Sequence, residues 1–119
     1  MDGRIQLPVI NFLQKRFNAV NVDNITEAGP DRVLFEKKEN NKIESLLKKI
    51  DTSFKMHNSN KIAVVAHPDC AGNPVSKEEH IIHLKKSVEF LSELYPDSEI
   101  IALWVKDNKE VEEIELTSL

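Results

Sequence analysis

At 119 residues, with 40% apolar and 30% charged side chains, the chain has room for one hydrophobic core and no second. A net charge of −4 argues against nucleic acid as partner, because phosphates call for a concentrated basic face. The basic residues are instead interleaved with glutamate, as in Lys37-Lys38-Glu39 and Lys77-Glu78-Glu79, and read as solvated helix faces. No stretch approaches the ~18 apolar residues of a membrane span. The start, Met1-Asp2-Gly3-Arg4, has no signal-peptide layout. A lone cysteine, Cys70, excludes an intrachain disulfide and points to a reducing, cytoplasmic setting.

Taken in chain order, Val9, Ile10, Leu13 and Phe17 recur at helical spacing, and Pro8 suits a first turn, which predicts a helix over about residues 7–18. Val20, Val22 and then Ile25 alternate with polar residues and predict a short strand, ended by Glu27-Ala28-Gly29-Pro30. A helical turn is expected over 31–36. A second long helix is expected over 41–57, where Ile43, Leu46, Leu47, Ile50 and Phe54 make one stripe. After the turn Asn58-Ser59-Asn60, the run from Lys61 to Ala66 reads as a strand buried on both faces, as in parallel sheets. Ser76 with Glu79 forms a capping-box signature for a helix over 76–95, whose buried stripe is Ile81, Leu84, Val88, Leu91 and Tyr95. Glu99 to Val105 is a further buried strand, and Val111 to Leu116 is a candidate edge strand. Helices alternating with strands imply an α/β fold: three layers, with a small, mainly parallel sheet flanked by helices.

Ligands of such sheets bind beyond the carboxyl ends of the strands, which is where His67-Pro68-Asp69-Cys70 stands. An imidazole and a thiol three positions apart at a strand mouth can reach one metal, with Zn–N near ~2.0 Å and Zn–S near ~2.3 Å. On spacing alone, a buried thiol beside a satisfied loop histidine explains the pair as well. Elsewhere, His80 and His83 lie one helical turn apart, but Glu78, Glu79 and Lys85 around them suggest a solvated face. His57, at a helix end, serves the helix dipole. Three glycines cannot build a phosphate-binding loop.

The longer string from Ile62 to Gly72 resembles the strand and second zinc motif of the β-class carbonic anhydrases: an apolar strand ending in His-x-x-Cys and followed by glycine. Here Ala71 is inserted between Cys70 and Gly72. Ala28-Gly29 is similar to a turn that the family carries after an earlier strand. Asp2 and Arg4 resemble the end of the family's first motif, Cys-x-Asp-x-Arg, whose cysteine would fall one position before Met1. The family's central first strand would precede that cysteine, so a misplaced start, a truncated chain and a substitute ligand are three open explanations for a single domain lacking its first strand. The resemblance implies zinc held by His67 and Cys70, with bound water brought to a pKa near ~7 as the source of hydroxide. Asp2, oriented by Arg4, would position that hydroxide for the interconversion of carbon dioxide and bicarbonate. It also implies a homodimer or higher homo-oligomer. The alternative is a non-catalytic relative that keeps the fold for assembly or small-anion binding.

Overall fold

The computed structural model describes residues 1–36 and 41–116. The elements run α1 (Gly3–Phe17), α2 (Pro30–Glu36), α3 (Asn41–His57), β1 (Lys61–Ala66), α4 (Lys77–Leu94), β2 (Glu99–Val105) and β3 (Val111–Glu113). The solvated face expected at Lys37-Lys38-Glu39 lies outside the described residues. Among the described residues, no helix is long and apolar enough to cross a membrane.

The sheet has the order β1-β2-β3. β1 pairs with β2 in parallel from Lys61↔Glu99 to Ala66↔Trp104, and β3 returns antiparallel against Leu103–Val105. Alternate side chains on the two long strands face opposite layers. Ile62, Val64, Ala66, Ile100, Ala102 and Trp104 pack against α2, α3 and α4. Ala63, Val65, Ile101 and Leu103 face α1 through Val9, Phe12, Leu13 and Phe17. The result is a three-layer α/β arrangement with one helix on one face and three on the other. The sheet is mixed, and its longer ladder is the parallel one.

Three local expectations need correction. The first helix starts at Gly3, because the Asp2 side chain accepts the backbone N–H of Arg4 and caps it; Pro8 therefore lies inside the helix. No strand forms over Val20–Ile25. Asn18 turns left-handed (φ 50°) to close α1, and the segment that follows has no neighbouring strand to pair with among the described residues. The edge strand keeps its place but spans only Val111–Glu113, with one further bond from the Ile114 N–H to the Ala102 carbonyl (2.8 Å). The helix opening at Ser76 follows its sequence signature, the Ser76 hydroxyl accepting the N–H of Glu79.

Candidate functional site

β1 delivers His67 directly from its carboxyl end. The residue is buried, and its Nδ1 lies 2.7 Å from the Pro68 carbonyl oxygen. A carbonyl oxygen can only accept, so Nδ1 carries a proton, and in the neutral form of the ring the lone pair lies at Nε2. That is the tautomer a metal-binding imidazole uses, its second nitrogen fixed by a backbone carbonyl. The chain then turns tightly through Asp69, whose φ of 57° is left-handed, and brings Cys70, buried and free, to the cavity that His67 also borders. That cavity measures about 430 Å³.

The start of α1 meets the same place. Asp2 Oδ2 lies 3.9 Å from His67 Nε2, too far for a hydrogen bond. Both carboxylate oxygens of Asp2 are engaged by Arg4, with Nε 3.0 Å from each and Nη2 2.5 Å from Oδ2. The Arg4 side chain, helped by the Arg4 backbone N–H, holds the Asp2 carboxyl well below the usual carboxylate range. The carboxylate is therefore ionised and fixed in direction. His67, Asp2 and Arg4 are thus brought together, with Cys70 on the same cavity. Among the described residues, no group of three or more His, Cys, Asp or Glu side chains converges as a metal cluster.

The loop after Cys70 is held by two glycines and a buried polar network. Gly29 is left-handed (φ 62°), and a Cβ on Gly72 would stand 2.3 Å from the Ala28 carbonyl carbon, so the two loops pass backbone against backbone. Asn73, only 1% exposed, donates one N–H to Asp31 Oδ2 (3.1 Å) and lies 2.9 Å from His83 Nδ1. Asp31 Oδ2 also faces His80 Nδ1 at 2.6 Å, and the Ser87 hydroxyl donates to the Asp31 carbonyl. The ring of His83 stacks on Phe35 at 4.2 Å.

The solvated face expected for His80 and His83 is therefore overturned. His80 is fully buried against Trp104, and His83 is half-buried. The neighbouring glutamates misled because α4 buries a broader stripe than its aliphatic residues mark. His80, Leu84, Ser87 and Leu91 follow the spacing i, i+4, i+7 and i+11, which was the available signal. Asp31 and Asn73 carried no such signal, being single polar residues in loops or at a helix start. His57, in the last turn of α3, is paired with Asp23 at 2.6 Å.

Fold and site together define an α/β protein with a His-x-x-Cys loop at the carboxyl end of a parallel strand, faced by a helix-capping carboxylate. The chain matches the family described as "Putative carbonic anhydrase" over residues 1–115, and it belongs to that family. No curated protein and no solved structure matches it.

Proposed function

We propose that the protein is a zinc-dependent carbonic anhydrase-like enzyme interconverting carbon dioxide and bicarbonate. The observation that carries this reading is the state of His67 in a chain of this family. Its Nδ1 proton is committed to the Pro68 carbonyl, and an ionised carboxylate stands 3.9 Å from its Nε2.

The donor chemistry suits zinc, since a neutral imidazole and a cysteine thiolate are ordinary ligands for it. His67 and Cys70 would hold the metal, as two of the three protein ligands that a catalytic zinc site uses. When bound, zinc supplies an activated water at neutral pH. Asp2 would accept a hydrogen bond from that water on the side facing His67, and its paired bonds from Arg4 fix the direction of the carboxylate. Fixed charge at that point favours one orientation of the nucleophile and disfavours a second anion nearby. The same reading gives the protein a cytoplasmic setting, where Cys70 stays reduced, and a homodimer or higher homo-oligomer with sites near the subunit interface.

Metal analysis and carbon dioxide hydration of the purified protein test the proposal. Zinc near one equivalent per chain, lost in Cys70→Ser, supports it. A folded, zinc-free protein without hydration activity refutes it. That outcome would favour a non-catalytic relative serving assembly or small-anion binding, a reading supported by the want of a third donor among the described residues.

A further inference from the structure

Between Cys70 and His80 the chain buries a single residue. Ala71, Pro74 and the stretch from Ser76 to Glu79 are exposed, Gly72 and Val75 are half-buried, and Asn73 is 1% exposed. The loop after Cys70 therefore has little apolar surface with which to hold itself against the fold. Its one inward side chain is an amide, so its seat depends on that amide's partners.

Those partners lie on two other elements. Asn73 Nδ2 donates to Asp31 Oδ2 at the start of α2 (3.1 Å) and stands 2.9 Å from His83 Nδ1 in α4. An amide nitrogen carries two protons and a carboxylate oxygen only accepts, so one proton goes to Asp31 and the other is available to His83. Along the backbone, the Asn73 N–H donates to the Cys70 carbonyl (3.3 Å), and the Asn73 carbonyl accepts the N–H of Val75 (2.9 Å). The turn Cys70–Asn73 is thus closed on itself, and the Asn73 side chain ties it to α2 and α4. Where the turn sits decides where Cys70 sits.

The carboxylate of Asp31 is used unevenly. His80 Nδ1 and Asn73 Nδ2 both meet Oδ2, while Asp31 Oδ1 and His80 Nε2 are buried without a hydrogen-bond partner among the described residues. Buried polar atoms left so are destabilising, and well-packed apolar residues in their place are often neutral or better. Apolar packing would hold α2 against α4 as well, but it has no direction. Hydrogen bonds gathered on one carboxylate oxygen have one, and it is the direction of Asn73.

We propose that Asn73, aimed by Asp31, is the positioning residue of Cys70. It keeps the thiol seated at the cavity that His67 borders, and what it requires of Asp31 is an acceptor oxygen rather than a charge. His67 issues from β1 and does not depend on it. For zinc the inference rests on the function proposed above; for the seating of the thiol it does not.

The test measures how fast Cys70, the chain's one thiol, reacts with a chromogenic disulfide in the metal-free protein. The variants are Asn73→Ala, Asp31→Ala and Asp31→Asn, each without urea and at low urea. Asn73→Ala and Asp31→Ala should react about tenfold faster than the parent, as one hydrogen bond lost from a buried site implies. Asp31→Asn keeps an oxygen that accepts from both Asn73 and His80, and should stay within about twofold of the parent. The faster rates should not rise at low urea, because local opening of a loop exposes little surface. Rates that rise with urea in step with global unfolding overturn the proposal, by giving Asn73 a role in overall stability alone. An Asp31→Asn rate as high as that of Asp31→Ala also overturns it. If Asn73→Ala does not fold, His83→Phe removes one partner of the amide while keeping a ring on Phe35. It must then show the urea-independent acceleration, or the proposal fails. Zinc affinity, from competition with a chromophoric chelator, should fall about 10- to 100-fold in Asn73→Ala, as for other residues that orient a ligand. Equal zinc affinity in the parent and Asn73→Ala overturns the role of Asn73 at the metal. A parent that takes up no zinc refutes the function proposed above, and the thiol rates still decide the role of Asn73.

Discussion

Gly72→Ala should unseat the loop that carries Cys70. The new Cβ would stand 2.3 Å from the Ala28 carbonyl carbon and 2.5 Å from the Gly29 nitrogen, both backbone atoms. Carbon atoms in ordinary contact are about 3.5–4.0 Å apart, so the two loops must separate by about 1 Å. Neither is free to do so. Gly29 accepts the N–H groups of Arg32 and Val33 through its carbonyl, and Asn73 is tied to Asp31 and His83. Overpacking costs ~1–3 kcal/mol, and a clash with backbone on the receiving side belongs at the upper end. For a chain of 119 residues, ~3 kcal/mol lowers the melting midpoint by about 12 °C. Gly29→Ala adds a left-handed alanine, worth ~1–2 kcal/mol more. The double variant should cost less than the sum, because loops already parted by one methyl group admit the second. Urea unfolding followed by Trp104, the chain's single tryptophan and a core residue, gives all three values. A Gly72→Ala cost below ~0.5 kcal/mol, typical of a surface change, would refute the argument.

Three further outcomes are expected. Asn73→Leu removes both hydrogen bonds of the loop anchor and leaves polar partners on Asp31 and His83 unmet, a loss of ~2–3 kcal/mol by urea unfolding. His80→Phe keeps an aromatic ring against Trp104 but strips the buried Asp31 carboxyl of its closest partner. A loss of ~3 kcal/mol, partly recovered by adding Asp31→Asn, is the expected pattern, and no loss would show that the pair is dispensable. Asp2→Asn should narrow the stability difference from the parent as pH falls. The folded Asp2 carboxyl is held below its unfolded value, so its contribution is complete above about pH 4 and erodes as acid protonates the folded form. Unfolding midpoints of the two proteins that keep a constant gap from pH 6 to below pH 3 would contradict this.

The helices, the two long strands and their parallel pairing were legible because periodicity and β-branched runs report burial directly. The sequence also placed His67 and Cys70 at a strand mouth, whereas the close approach of Ala28-Gly29 to the Gly72 loop had no signal in it, because nothing local reports which two turns meet. What escaped was cooperative. Val20–Ile25 has the alternation of a strand, but a strand also requires a neighbour, which no local pattern supplies. His80 carries a polar label in a buried stripe, and only the carboxylate of Asp31, 49 positions away, makes its burial tolerable. Asp2 was singled out by its resemblance to the family's first motif, but the helix start at Gly3 that it caps, and that brings it to His67, was not legible.

The uneven anchoring of α1 divides the site into parts of different persistence. α1 buries only Ile5 and Leu13, whereas α4 buries His80, Leu84, Ser87, Val88 and Leu91. At its far end α1 is held by Arg16, which spans Glu99 and Glu113 on the surface, and such exposed pairs contribute ~1 kcal/mol or less each. Local opening of α1 therefore requires less free energy than global unfolding. Each such opening withdraws Asp2 and Arg4 while β1, α4 and the Asn73 anchor keep His67 and Cys70 in place. The ligand pair is a standing feature of the protein, and the carboxylate is present only for the fraction of time that α1 stays docked. Amides of α1 exchanging faster than those of β2 would measure that fraction.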